Sequence, residues 1–267
     1  MVPPSPASDR IAVIVPVAAG EAPPPESFFE RVFGGGRPGI QLVAAADAEI
    51  SSNVREAFAR AGARVHMSSA PRGQRLREAI FFTLEESPGA RPARAAALST
   101  FEESSSFSPS FSSSSSSAEI LLFLHADTLL PVGWERAIRR AIASGAVGGA
   151  FRLSFSGGGA RMRWVAFWAN ARTAFTRVPY GDQAPFVRRD VYEKLGGHPP
   201  WPLLDDWDFA RRLKKEGRIE ILRDAVETSP RRYLERGVAR TVLGNWKILW
   251  KARRGESPEK LAERYRR

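Results

Sequence analysis

Residues 119–128 read Glu119-Ile-Leu-Leu-Phe-Leu-His-Ala-Asp-Thr128, and this stretch decides the reading of the chain. Five apolar residues, Ile120 to Leu124, run without a break into His125, Asp127 and Thr128. A short continuous apolar run is the pattern of a strand buried on both faces. Polar side chains that follow it directly stand at the carboxyl end of that strand, where open α/β sheets bind their ligands. His125 and Asp127 are two apart and point the same way in extended chain. They can share one divalent cation, manganese or magnesium, because a carboxylate suits hard cations and imidazole suits manganese. Alternatively, Asp127 caps a helix starting near Pro131. The spacing alone leaves both open.

Upstream of this stretch the pattern alternates. Ile11 to Val17 (IAVIVPV) is an apolar, β-branched run that predicts a buried parallel strand. Pro23 to Pro25 open a helix through FFERVF. Ile40 to Ala46 forms the next strand. Ser51 or Ser52 caps a helix to about Ala61, closed by Gly62. Arg64 to Met67 is a third strand, followed by a helix from Gly73 to Leu84. Alternation of this kind predicts a mostly parallel sheet with covering helices. Residues 85–118 interrupt it with a Ser-rich tract (SSSFSPSFSSSSSS), read as a disordered surface-loop insertion in a single domain spanning residues 1–267.

Composition limits what such a chain can do. It has 267 residues, 43% of them hydrophobic, and 40 Lys/Arg against 29 Asp/Glu, a net charge of +11. This is globular composition. The absence of cysteine excludes disulfide frameworks, thiolate metal sites and thiol nucleophiles. No apolar run reaches the ~18 residues that span a bilayer. The first ten residues lack the features of a secretory signal, so the expected location is the cytoplasm. The charge is uneven: residues 211–267 hold 18 Lys/Arg and 8 Asp/Glu, a net of +10, which leaves residues 1–210 at +1. A basic C-terminal quarter suits a solvated surface, nucleic acid, phosphate groups or anionic lipid.

The segment from Thr176 to Arg218, TRVPYGDQAPFVRRDVYEKLGGHPPWPLLDDWDFARRLKKEGR, narrows the choice. Together with LHADT, the later SPRRY (229–233) and a Gly-x-x-x-x-x-Leu-Ala-x-x-Tyr tail, it resembles family 2 glycosyltransferases of the GT-A fold. The likeness is to a bacterial-type subgroup with LHADT, PYGDQ and ED motifs. It covers nearly the whole chain outside the Ser-rich tract. The resemblance implies a metal-dependent, inverting transfer of a sugar from a nucleotide-diphosphate donor to an acceptor hydroxyl. Asp127 matches a metal-binding aspartate, with His125 in place of the first acid. Asp206 matches the catalytic base, with Asp205 in place of a glutamate. Gly181, Asp182 and Gln183 match an acceptor-side segment. Pro16, Glu21, Asp47, Arg72, Arg231 and Arg232 match the donor side, the arginines lying toward the diphosphate and Asp47 toward the base.

Departures cluster in the donor half. The first strand runs on into AAGEA, which keeps only Glu21 of an Asn-Glu pair. A usual DGGS has become Asp47-Ala-Glu-Ile, and Ala79 stands where asparagine is common. Two alternatives follow: a degenerate, non-catalytic nucleotide-sugar-binding protein, or a nucleotidyltransferase on a similar sheet. Nucleic acid is not expected as a partner, because no recognised binding motif accompanies the charge.

Other features have simpler readings. Asp205 and Asp206 also suit the first turn of the helix that follows, where the dipole favours acids. His66 reads as structural, His198 as a loop residue, and Gly157 to Gly159 as a turn. Trp164, Phe167 and Trp168 are expected to pack the core or shape the acceptor pocket. Val242, Leu243, Trp246, Leu249 and Trp250 form an apolar stripe flanked by Lys247, Lys251, Arg253 and Arg254. It either packs onto the domain or makes peripheral membrane contact through the basic C-terminal helices.

Overall fold

A computed structural model describes residues 10–34, 39–84 and 119–266. The expected Ser-rich insertion at 85–118 lies outside the described residues. Strand β1 (Ile11–Val17) lies between β2 (Ile40–Asp47) and β4 (Ile120–Phe123), parallel to both. β3 (Arg64–Ser68) pairs parallel with β2 at the edge. Helices α1 (Glu26–Phe33), α2 (Ser52–Arg60) and α3 (Arg72–Leu84) make the crossovers.

Beyond β4 the sheet becomes mixed. β7 (Phe186–Arg188) inserts antiparallel between β4 and β6 (Gly148–Phe155), β8 (Ile219–Thr228) runs parallel to β6, and the short β5 (Thr128–Leu129) closes the far edge antiparallel to β8. The resulting eight-stranded order is β3-β2-β1-β4-β7-β6-β8-β5. The remaining helices are α4 (Trp134–Ala143), α5 (Gly159–Thr176), α6 (Arg189–Lys194), α7 (Asp205–Glu216), α8 (Arg231–Arg236), α9 (Val238–Arg253) and α10 (Pro258–Arg266).

Strand periodicity sorts the core into two layers. Ile11, Val13, Val15 and Val17 face one side with Phe28, Phe58 and Trp134, under α1, α2 and α4. Ala12 and Ile14 face the other with Leu76, Ile80, Tyr192 and Phe209, under α3, α6 and α7. Burial on both faces is why β1 reads as an unbroken apolar run. The mixed half is held by close backbone approach. A Cβ on Gly149 would lie 2.1 Å from the Glu220 carbonyl oxygen and 2.6 Å from the Phe186 ring, so β6 can pass between its neighbours only as glycine there.

Candidate active site

A cavity of about 430 Å³ opens at the carboxyl ends of β1 and β4. Pro16, Ala18 and Glu21 enter it from β1 and the turn beyond, and His125 and Asp127 from the turn after β4. That turn is tight, since the Thr128 amide donates to the His125 carbonyl at 3.1 Å. The buried Thr128 hydroxyl, 3.0 Å from that of Thr228, fastens it to β8. Helix α4 begins only at Trp134 after a left-handed Gly133, so Asp127 is not its cap. Asp127 is exposed at the cavity instead.

The floor is a charged cluster joining three distant segments. Arg72, the first residue of α3, donates from one nitrogen to both Asp205 carboxylate oxygens at 2.7 and 2.9 Å, and its other terminal nitrogen lies 3.3 Å from His125 Nε2. Asp205 is buried, and burial pushes its carboxyl up even with Arg72 beside it. Burial alone would lower Arg72, but Asp205 and Asp206 more than reverse this and keep the guanidinium charged. Burial and then Arg72 bring His125 down to about 4, so its ring is neutral at physiological pH.

Asp206 stands one residue on, at the mouth of α7. Its Oδ2 accepts from the Gly181 amide at 2.7 Å and its Oδ1 from the Trp207 amide at 2.8 Å. The latter is an otherwise orphaned first-turn donor, so the helix-start reading and the site reading hold together for Asp206. Leu204 precedes the pair with φ 63°, a left-handed conformation that branched residues rarely adopt and that the surrounding packing must hold. Gly181 has no room for a side chain. A Cβ there would lie 2.8 Å from His125 Nε2 and 3.0 Å from Asp206 Oδ2.

The opposite wall is aromatic and basic. Tyr180 lies under the Arg172 guanidinium, 3.5 Å from its ring centre. Arg231 and Arg232 on α8 line the cavity, and Arg232 donates to the Tyr265 hydroxyl at 2.8 Å. Tyr233 completes this side, its phenol pushed up to about 12 by burial and the nearby Asp182 charge. Helix α9 closes the wall with Thr241, Asn245, Ile248 and Leu249.

Asp182 lines the same space, and burial raises its carboxyl to about 6. Its Oδ1 has no hydrogen-bond partner among the described residues. Because the folded state favours the protonated form, ionised Asp182 opposes folding, increasingly as pH rises from its unfolded value of 3.8 through about 6. Asp182→Asn is therefore expected to raise the thermal midpoint at pH 7.5 and to do so much less at pH 4.5. Paired thermal melts at the two pH values check this, and equal shifts would contradict it.

Two expected site residues are placed elsewhere. Gln183 is wholly buried and does not line the cavity. Its Oε1 accepts from Thr173 at 2.7 Å and its Nε2 donates to the Phe151 carbonyl at 3.4 Å, so both ends of the amide tie α5 to β6. Asp47 at the end of β2 forms an ion pair with Arg75, and it is Arg75 that lines the cavity. Tyr180, Arg75 and Tyr265 also line the cavity, without a role expected from sequence, although Tyr180 belongs to PYGDQ and Tyr265 ends the C-terminal Gly-x-x-x-x-x-Leu-Ala-x-x-Tyr pattern. Of the inner face of α9, Leu249 alone belongs to the expected apolar stripe. Arg75 shared the face of a helix whose start was placed one residue late, at Gly73 rather than Arg72.

The donor set can be tested against a divalent cation. Among the described residues no three His, Asp or Glu side chains gather into a cage. A hard cation that shares a substrate's phosphates needs only one or two protein carboxylates, and Asp127 supplies one at the cavity with Glu21 beside it. Desolvation by the walls, and more weakly the charge of Asp127, push the Glu21 carboxyl up. Concentrating further positive charge there relieves that repulsion, so the residues fit such an ion.

No protein-family model and no curated protein matches the chain. Solved structures do. The mannosyltransferase PcManGT from Pyrobaculum calidifontis, in complex with GDP-Man and Mn2+, matches at 19% identity and TM-score 0.52 over 96% of this chain and 69% of that one. S. aureus TarS matches at 14% identity and TM-score 0.46 over 82% of this chain. This chain spans only 36% of the TarS chain. Glucosyl-3-phosphoglycerate synthase from Mycobacterium tuberculosis, in complex with Mg2+ and UDP, matches at 14% identity and TM-score 0.43 over 83% of this chain and 71% of that one. The likeness to the mannosyltransferase establishes the fold: a GT-A-like α/β architecture with a central sheet flanked by helices.

Proposed function

We propose that this protein is a metal-dependent, inverting glycosyltransferase that moves a sugar from a nucleotide-diphosphate donor to an acceptor hydroxyl. The observation that carries this reading is the convergence of Asp127, Arg231 and Arg232 with Asp206 on one cavity at the carboxyl ends of β1 and β4. Transfer of this kind needs positive charge where a diphosphate departs and a base where an oxygen attacks. The cavity offers both.

Asp127 would hold the cation with His125 alongside, and a bound Mn2+ or Mg2+ would neutralise charge on the leaving diphosphate. Arg231 and Arg232 supply fixed positive charge at the same end and orient the phosphates. Arg72 acts from below through Asp205 and His125, fixing the floor on which Gly181 and Asp206 meet. Asp206 takes the proton from the acceptor hydroxyl, and the two amides on its oxygens hold it in place. Asp182 and Tyr180 border the acceptor. Attack directly opposite the departing diphosphate inverts the anomeric carbon.

The donor's nucleotide would lie toward Pro16 and Arg75. The Arg75–Asp47 ion pair occupies the acid that the resemblance assigns to the base. That specific contact favours, as a second reading, a protein that binds the diphosphate end and does not turn over.

Both readings meet one experiment. With manganese and a panel of radiolabelled UDP- and GDP-sugars, the native protein is expected to release nucleoside diphosphate. Asp127→Ala is expected to lose at least about tenfold in cation-dependent donor affinity and turnover. Equal release by both proteins would overturn the role of Asp127, and donor binding without release would select the second reading.

A further inference from the structure

Two helices expose aromatic side chains that the reaction does not use. On α5, Trp164 is 66%, Phe167 62% and Phe175 90% exposed, and Trp168 lies on the same face. On α9, Trp246 is 71% exposed, with Leu243 and Trp250 one turn to either side. The expectation that Trp164, Phe167 and Trp168 pack the core or the acceptor pocket is therefore corrected. The buried side of α5 is Met162, Ala166 and Thr173. The stripe on α9 is likewise divided: Leu249 lines the cavity, while Leu243, Trp246 and Trp250 are exposed, and the helix buries Thr241 and Ile248 instead. Isolated exposed apolar residues are ordinary on a soluble surface, but aromatic faces repeated along two helices mark an interaction surface.

The charge pattern identifies the occupant. Neither helix contains an aspartate or glutamate. Arg161 and Arg163 are exposed on α5, and Arg240, Lys247 and Arg253 on α9, where Arg254 just beyond the end lies 3.8 Å from the Trp250 ring centre. Both helices reach the cavity at Tyr180: Arg172 of α5 covers its ring, and Ile248 and Leu249 of α9 line the same cavity. Indole and phenyl rings among long basic side chains suit the level of phospholipid headgroups, where rings enter the acyl boundary and cations stay at the phosphates. A twofold pairing of this surface with a second copy would set like charges against each other. Among the described residues no helix is long and apolar enough to cross a membrane.

We propose that α5 and α9 dock this protein onto an anionic phospholipid surface, with the cavity wall formed by α9 held next to the bilayer. The inference stands on these two faces and does not depend on the chemistry of the site.

Co-sedimentation with vesicles tests it. The probes are phosphatidylcholine alone and phosphatidylcholine with roughly three lipids in ten replaced by phosphatidylglycerol. Partitioning is expected to be at least about tenfold stronger on the anionic vesicles at low salt, to fall as salt rises, and to carry a blue shift of tryptophan emission. Trp246→Ser with Trp250→Ser, and separately Lys247→Glu with Arg254→Glu, are each expected to reduce it about tenfold. Circular dichroism melts matching the native protein confirm that the variants fold. If either pair unfolds, Trp164→Ser with Phe167→Ser on the other helix takes its place. Absence of binding, or equal binding to neutral and anionic vesicles, would overturn the proposal. A dimer in light scattering that the aromatic variants dissociate would also overturn it and assign the surface to a second copy.

Discussion

Asp206→Asn is expected to slow sugar transfer by about two to four orders of magnitude, the usual contribution of a positioned general base, while donor affinity stays within a few fold. The asparagine amide retains one oxygen, which can accept from the Gly181 amide, now 2.7 Å from Asp206 Oδ2, and it gives up the acceptor for the helix-start amide of Trp207. For the reaction, what is lost is the acceptor for the hydroxyl proton. A split in which turnover collapses and binding persists separates a chemical role from a structural one. Steady-state kinetics with titration calorimetry of the donor measure it. Turnover within about tenfold of native would remove Asp206 from the chemistry.

Arg72→Ala should have the largest effect on stability, a loss of about 3–5 kcal/mol, because it leaves a buried carboxylate without its counter-charge. Asp205 has a side chain only 2% exposed, and Arg72 supplies both of the hydrogen bonds to its oxygens described above. In the variant, Asp205 should be relieved by taking up a proton. Its raised carboxyl makes the folded state favour protonation, so the deficit is greatest at neutral pH and shrinks as pH falls through the folded value. Adding Asp205→Asn should restore part of the loss, with a coupling of about 0.5–3 kcal/mol between the two changes. Urea unfolding at several pH values of the two single variants and the double variant reads all of this. A deficit independent of pH would show that Arg72 serves packing alone. Arg72→Lys is expected to rescue only partly, since an ammonium cannot reproduce the planar fork.

The first half of the sheet was legible because its signal is strong and local. Ile11–Val17 and residues 42–46 are buried on both faces, so their side chains are apolar without alternation, and the helix between them is opened by Pro25. The second half offers no such signal. β7 is three residues long, and nothing within Phe186–Arg188 says that it will run antiparallel between β4 and β6. Sequence brings the candidate residues together where a side chain lines the cavity, as with Asp127 and Asp206. It was misread where a motif residue is used by the scaffold. Gln183 belongs to the same short motif as Gly181 and Asp182, yet sequence cannot tell an amide facing a substrate from one spanning two elements. The aromatic residues of α5 failed for a related reason. That helix is apolar on opposite sides, so periodicity shows that it has faces without showing which one the sheet covers.

Helix α9 presents Thr241, Asn245, Ile248 and Leu249 to the cavity and Leu243, Trp246 and Trp250 to the outside. The 3.6-residue period interleaves the two sets along one short segment while keeping them apart in space. In evolutionary terms the helix has two independently adjustable registers. Changes at 241, 245, 248 and 249 can alter what fits the cavity without altering the outer face, and changes at 243, 246 and 250 can do the reverse. A lineage could therefore reshape the cavity wall or the outer face separately, by a few substitutions in the same sixteen residues.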